Sequence, residues 1–129
     1  GIIYAALVEK KENFFVAIDD SGTVIGFCAA GKERSGRFGC CGELYAIYLL
    51  KEFRRAGAGR RLVAAAAARL LKTGYADMMV WVLEKNPSAA FYEKLGAKKI
   101  GGVTVKIGEE EFMELAYVFN GLAALAEKD

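Results

Sequence analysis

Eight consecutive residues, Arg54-Arg55-Ala56-Gly57-Ala58-Gly59-Arg60-Arg61, carry the densest chemistry in this 129-residue chain. They follow an apolar, strand-like run and open a long Ala-rich run of helical character. Glycine at such a bend lets backbone N–H groups turn toward a bound anion. The helix N-terminus behind it adds about half a positive charge, so the layout suits a phosphate or pyrophosphate. Four arginines surround the turn, and their planar forks match phosphate oxygens. An ordinary solvated turn is the competing reading of the same residues.

What the chain lacks narrows the rest of its chemistry. There is no histidine, which removes a Ser-His-Asp triad, a Cys-His pair and the usual zinc sites. Acid–base work must fall to carboxylates, Tyr, Lys or Cys. The three cysteines, Cys28, Cys40 and Cys41, form no disulfide framework, and an adjacent pair lacks C-x-x-C metal spacing. A net charge of +2 is too small to argue for nucleic acid. The basic residues cluster at 51–61, where a small polyanion would fit. With 54% apolar residues and a mean hydropathy of +0.21, one packed domain over 1–129 is expected. No run approaches the roughly 20 apolar residues of a membrane span. Gly1-Ile2-Ile3-Tyr4 has neither the features of a signal peptide nor a Met, so the expectation is a cytoplasmic chain, with a missing natural N-terminus left open.

The elements that must position the glycine turn follow from periodicity. Residues 2–8 are apolar and read as the end of a helix. Phe14–Ile18 and Thr23–Ala29 flank Asp19-Asp20-Ser21-Gly22 and read as a β-hairpin. Gly31–Gly39 is a polar loop, in which Lys32, Arg34 and Arg37 are solvated or face an acidic substrate. Glu43–Leu50 is a long apolar strand suited to the middle of a sheet. From Ala58 to Lys72, Leu62, Val63, Ala66, Ala67, Leu70 and Leu71 recur at helical spacing, with Gly74 as the stop. Met78–Leu83 is another buried strand. Asn86-Pro87-Ser88 signals a helix start, and that helix runs over Ser88–Leu95 to Gly96. Ile100–Val105 and Glu111–Phe119 are the final strands, and the tail from Leu122 is a short helix. The order predicts a mixed α/β (α+β) domain with a largely antiparallel sheet, in which strands 43–50 and 78–83 are parallel neighbours.

In this order the residues resemble the GNAT superfamily of N-acetyltransferases. Arg54-x-x-Gly57-x-Gly59 matches the family's pyrophosphate signature, Arg/Gln-x-x-Gly-x-Gly/Ala, after a central strand. Asn86-Pro87-Ser88-Ala89-Ala90-Phe91-Tyr92-Glu93-Lys94-Leu95-Gly96-Ala97 is similar to its Asn…Phe-Tyr-x-x-x-Gly segment. Glu43–Tyr48 is similar to its acidic-led central strand. The resemblance covers about Phe14 to Phe119. Lys51 stands where the family usually has Pro. Only Gly1–Asn13 precedes the hairpin, where the family has a strand and two helices, so N-terminal helices are absent or truncated.

The resemblance implies acetyl-CoA as cosubstrate, no metal, and transfer of the acetyl group to a primary amine by direct attack in a ternary complex. Backbone amides of Arg55, Gly57, Ala58, Gly59 and Arg60, with Arg54, would cradle the pyrophosphate. The pantetheine arm would pair with Ile47, Tyr48 and Leu49 where the parallel strands splay, and Asn86 would assist while capping its helix. The N–H of Ile47 would polarise the carbonyl. Glu43, expected on the same side of its strand as Tyr45 and Ile47, would take the amine proton through a water, unless it is a solvated strand end. Tyr92, expected off the line of Phe91 and Leu95 that faces the core, would protonate the leaving thiolate; the alternative is an aromatic packing its helix on the sheet. Tyr45, Tyr48 and Trp81 are candidates for an acceptor pocket or for core. Cys40 and Cys41 are conceivable nucleophiles, though lone cysteines are usually inert packing residues.

The acceptor implied is a small-molecule or protein amine, with no nucleic acid and no membrane as partner, and the resemblance allows a homodimer. A non-catalytic acyl-CoA-binding sensor or regulatory module is the alternative function, and a structural domain that binds nothing is a third. A P-loop reading fails because the turn lacks Gly-Lys-Ser/Thr.

Overall fold

The computed structural model describes residues 3–9, 12–38, 41–54 and 57–126. Its elements are β1 (Ile3–Glu9), β2 (Glu12–Ile18), β3 (Val24–Lys32), β4 (Gly42–Leu49), a single 3-10 turn (Lys51–Phe53), α1 (Ala58–Lys72), β5 (Asp77–Leu83), α2 (Ser88–Lys94), β6 (Lys98–Ile107), β7 (Glu110–Asn120) and α3 (Leu122–Ala126). The seven strands form one sheet in the order β1-β2-β3-β4-β5-β7-β6. All neighbours are antiparallel except β4 and β5. The α1 crossover makes that pair parallel, because only a long connection returns the chain to the same end of the sheet.

The β2–β3 hairpin closes through its acidic turn. The Asp19 carboxylate accepts from the Ser21 N–H at 2.9 Å, the Ser21 hydroxyl at 2.7 Å and the Thr23 N–H at 3.0 Å. These bonds, the side-chain bond from Ser21 first, hold its pKa below the usual carboxylate value. One expectation fails here: residues 3–9 are a strand paired along its length with β2, from Ile3↔Ile18 to Glu9↔Glu12, and not a helix end. An unbroken apolar run has no period to separate helix from buried strand, so pairing with a neighbour decides it.

α1 occupies the stretch that its periodicity predicts. Its buried side, including Leu62, Val63, Ala66, Ala67 and Leu70, packs on the sheet with Phe15, Ile25, Cys28, Leu44, Met78, Val80, Tyr117 and Phe119. The alanines bring the helix close, and each fully buried Leu or Val is worth about 1.5–3 kcal/mol. Leu71 lies past the edge of that stripe and is exposed. The opposite face of the sheet holds a smaller cluster of Cys41, Met79, Ala116 and Val118, against which Phe38 and Trp81 pack.

β4 contains the irregularity that matters for the site. Ala29 pairs with Ala46 but Ala30 pairs with Leu44, so Tyr45 is an extra residue, a β-bulge. Leu44, Ile47 and Leu49 consequently all pack on the α1 side, a spacing that strict alternation forbids. Glu43 and Ile47 therefore do not share a face, contrary to expectation.

Candidate active site

The parallel ladder is short. β4 pairs with β5 only through Gly42↔Met78, Glu43↔Met79 and Leu44↔Val80, and beyond Leu44 the two strands part. Leu50 N–H donates to Ile25 O at 2.8 Å, and Tyr48 O lies beside Gly26, so the even-numbered residues there bond to β3. Successive residues of a strand point their amides to opposite edges, so those of Ile47 and Leu49 face the gap.

A cavity of about 450 Å³ opens from that gap, lined by Ile47, Tyr48 and Leu49 of β4, Arg54, Gly59 of α1, and Asn86, Pro87, Ser88 and Phe91. The turn into α1 forms one end. Gly57 sits at φ 81°, a left-handed conformation that side chains resist. The first intrahelical bond is Arg61 N–H to Gly57 O at 3.1 Å, so the Ala58, Gly59 and Arg60 amides precede the ladder. Gly57, the N-cap residue, has no side chain to cap the helix, and no acidic residue sits in the first turn, while Arg69 and Lys72 complement the other end. Arg54 ties the turn to β4 by donating Nε–H to Leu49 O at 2.9 Å. Gly59 allows a close approach, because a Cβ there would stand 3.3 Å from Phe91 Cζ. Arg55 lies outside the described residues, as does Cys40.

At the other wall, Asn86 Oδ1 accepts from Ser88 N–H at 2.8 Å, the capping bond expected at the start of α2. α2 sets Phe91 and Leu95 against the core as expected, but buries Tyr92 there as well. Phe91 lines the cavity, while Tyr92 is 5% exposed and meets the Phe91 and Phe119 rings edge-on at 5.3 and 6.3 Å. Burial, with a smaller contribution from Cys28, pushes the Tyr92 phenol up to about 12, so it holds its proton firmly at neutral pH. Cys28 itself is buried, donates to Leu62 O at 3.4 Å, and is pushed up to about 12 by burial. Cys41 is likewise raised, to about 11 and first by burial, which marks both as inert thiols.

Glu43 is not a solvated strand end. It is 3% exposed, and Arg34 holds both of its oxygens: the backbone N–H donates to Oε1 at 2.9 Å and Nη2 to Oε2 at 3.1 Å. Arg34 also lies over the Tyr45 ring, 3.9 Å from its centroid, and the Tyr45 hydroxyl donates to Lys32 O at 2.5 Å. The loop before β4 is anchored by a second buried carboxylate, Glu33, which accepts from the Ser35 N–H and hydroxyl and from the Phe38 N–H. Burial pushes the Glu33 pKa up, but these bonds outweigh it and hold the group below its usual value. Of the aromatic candidates, Tyr48 lines the cavity, Tyr45 lies under Arg34, and Trp81 packs against Phe38 at 5.9 Å. Sequence reasoning read Arg34 as a loop cation and Phe91 as a core residue, and missed that Arg34 binds Glu43 and that Phe91 lines the cavity, because each contact is made with residues elsewhere in the chain.

Known proteins share this fold. The sequence model of the Acetyltransferase (GNAT) family matches residues 2–97. The uncharacterised N-acetyltransferase YuaI of Bacillus subtilis (strain 168) is 43% identical over 111 residues, which is 86% of this chain and 64% of that protein. The chain thus spans less than two thirds of that relative's length. A protein of Bacillus anthracis str. Ames, assigned as a streptothricin acetyltransferase and solved with acetyl coenzyme A, superposes with a TM-score of 0.75 at 20% identity, covering 88% of this chain and 65% of that one. A phosphinothricin acetyltransferase of Sinorhizobium meliloti, solved with AcCoA, gives 0.70 at 24% identity, covering 85% and 61%. At such identities these structures speak for the fold.

Proposed function

Because the chain belongs to the GNAT family of acetyltransferases, we propose that it carries an acetyl-CoA-dependent N-acetyltransferase site acting on a primary amine by direct attack in a ternary complex. The observation that carries this reading is the parting of β4 and β5 after Leu44, into a cavity that ends at the N-terminus of α1. The site fits an elongated ligand with an anionic head, since backbone groups of Ile47 and Leu49 face its length and helix amides line its end. Acetyl-CoA supplies an activated acyl thioester when bound.

The chain's own residues divide the remaining work. The amides of Gly57, Ala58, Gly59 and Arg60, with Arg54, hold the phosphates. Ile47 and Leu49 offer backbone groups along the gap, Tyr48 and Asn86 flank it, and Ile47 N–H polarises a carbonyl lying there. An aliphatic amine near pKa 10 is mostly protonated at neutral pH, so Glu43 takes its proton through a water. Tyr92 is assigned as the donor to the departing sulfur, although its raised pKa weakens it as an acid and it is buried behind Phe91 rather than in the cavity lining. Among the described residues no helix is long and apolar enough to cross a membrane. A cytoplasmic setting belongs to the same reading, since the described thiols Cys28 and Cys41 are free.

Calorimetric titration of acetyl-CoA, with dephospho-CoA and ADP as comparisons, tests the reading. Saturable, salt-sensitive binding weakened by Gly57→Val is the expected result. Absence of binding to a folded chain overturns it.

A further inference from the structure

All three helices pack on one side of the sheet. Leu62 and Leu70 of α1, Tyr92 of α2, and Leu122 and Leu125 of α3 join a single cluster with the strands. The smaller cluster on the other side takes no helix residue among the described residues, only Phe38 from the loop before β4. A sheet face left to water alternates polar residues outward. β5, β7 and β6 do not follow that pattern. Residues paired across strands share a face, so the pairing of Ala116 with Trp81 and Gly101, of Glu114 with Val103 and of Phe112 with Val105 places them all on the side away from the helices. Trp81, Val103, Val105 and Phe112 are each half-buried there, at positions that a solvated face fills with polar groups. The charges on this face say what covers it. Lys98 and Glu114 each stand two pairs along the β6–β7 ladder from the Gly101–Ala116 pair, in opposite directions. A two-fold axis over that pair exchanges the directions and brings Lys98 of each copy to Glu114 of the partner subunit, so both charges are matched twice. The axis falls on the smallest residues of the face. A Cβ added at Gly101 would meet nothing within 4 Å, which leaves room for two sheets to stack about 10 Å apart. Pairing edge to edge is disfavoured instead, because the edge strand β6 carries Lys98, Lys99 and Lys106.

We propose that a second copy of this chain covers the helix-free face of β5, β7 and β6, forming a two-fold dimer with Gly101 and Ala116 at the axis, Trp81 and Val103 beside it, and two Lys98–Glu114 ion pairs between subunits. The inference stands apart from the acetyltransferase reading, since neither the cavity nor the cosubstrate enters it.

Light scattering after gel filtration tests the dimer, and the emission of Trp81, the single tryptophan of the chain, reports on the face itself. The parent is expected at twice 14.0 kDa, with Trp81 emission moving to longer wavelength on dilution. Lys98→Glu and Glu114→Lys should each raise the dimer Kd by roughly tenfold or more, and the double reversal should restore it. Gly101→Arg, at a position open to a side chain, blocks the close approach and serves if Glu114→Lys does not fold. A monomeric parent, single reversals or Gly101→Arg that leave the dimer intact, or a folded double reversal that stays monomeric overturns the proposal. No arm contains acetyl-CoA, so failure here is distinct from failure of the acetyl-CoA titration.

Discussion

Glu43 and Tyr92 are both buried, but among different partners. Glu43 accepts from the backbone N–H and the guanidinium of Arg34, whereas Tyr92 sits among aromatic rings that suit a neutral phenol. Each conservative replacement should therefore spare cosubstrate binding and strike turnover. Glu43→Gln and Tyr92→Phe are each expected to lower kcat by roughly 10²–10⁴, the usual range for a lost acid or base, with the acetyl-CoA Kd within about twofold of the parent. Steady-state kinetics beside calorimetry would show it; acetyl-CoA binding with no turnover even in the parent chain would favour a sensing module, and an unchanged kcat in both variants would remove these residues as base and acid. The same burial makes the molecule sensitive to alkali. Cys28 and Tyr92 have folded pKa values raised to about 12 from 9.0 and 10.0, so unfolding lets protons go. Their stabilising contribution is complete below pH 9 and declines as pH rises toward 12, a tenfold change in proton affinity being worth about 1.4 kcal/mol. Urea unfolding at pH 8 and pH 10.5 should show a falling midpoint, and Cys28→Ala should make the fall shallower. An identical slope in that variant would remove burial of the thiol as its cause.

At the scale of elements, the site depends on how closely α1 and α2 approach at Gly59. A Val at this position would drive methyl groups into Phe91, already 3.3 Å from a hypothetical Cβ, and should cost about 1–3 kcal/mol. It should also displace a wall of the cavity, so acetyl-CoA affinity falls with stability. Gly74→Ala is the control: Gly74 is at φ 104° with nothing within 4 Å, so backbone strain lowers its Tm without touching the site. If both variants lose affinity alike, the contact with Phe91 is not what shapes the cavity. Much of this level was legible beforehand. The α1 stripe, the Asn86-Pro87 start of α2, the stop at Gly96 and the parallel pairing around α1 all follow from local periodicity, capping and crossover geometry. What was not legible depends on partners. The β4 bulge exists because Ala29 and Ala30 of β3 take Ala46 and Leu44, a register no single strand encodes. α2 has only seven residues, too few to define a face by period, so the burial of Tyr92 beside Phe91 was decided by Phe119 and Gly59. The Arg34–Glu43 pair bridges a loop that sequence reads only as polar.

Across the whole molecule, the sheet divides into a closed half and an open one. β5, β7 and β6 pair along nearly their full lengths, whereas β4 loses its β5 partner after three residues. A ligand that completes the missing pairing should therefore protect amides on a map fixed by topology rather than by proximity to the surface. Hydrogen exchange with and without acetyl-CoA is expected to slow at Ile47 and Leu49, whose amides face the gap, and at Ala58, Gly59 and Arg60, which precede the α1 ladder. Tyr48 and Leu50, bonded toward β3, should change little beyond the global stabilisation that any tight ligand confers by mass action. The β6–β7 hairpin, remote from the cavity, should show only that global effect. Alternation of protection along 47–50 is the discriminating feature, because a ligand merely covering this surface would slow neighbouring residues equally. Uniform protection there would mean that the gap between β4 and β5 is filled by side-chain contact and not by strand-like pairing, and the assignment of Ile47 N–H as a carbonyl donor would fall with it.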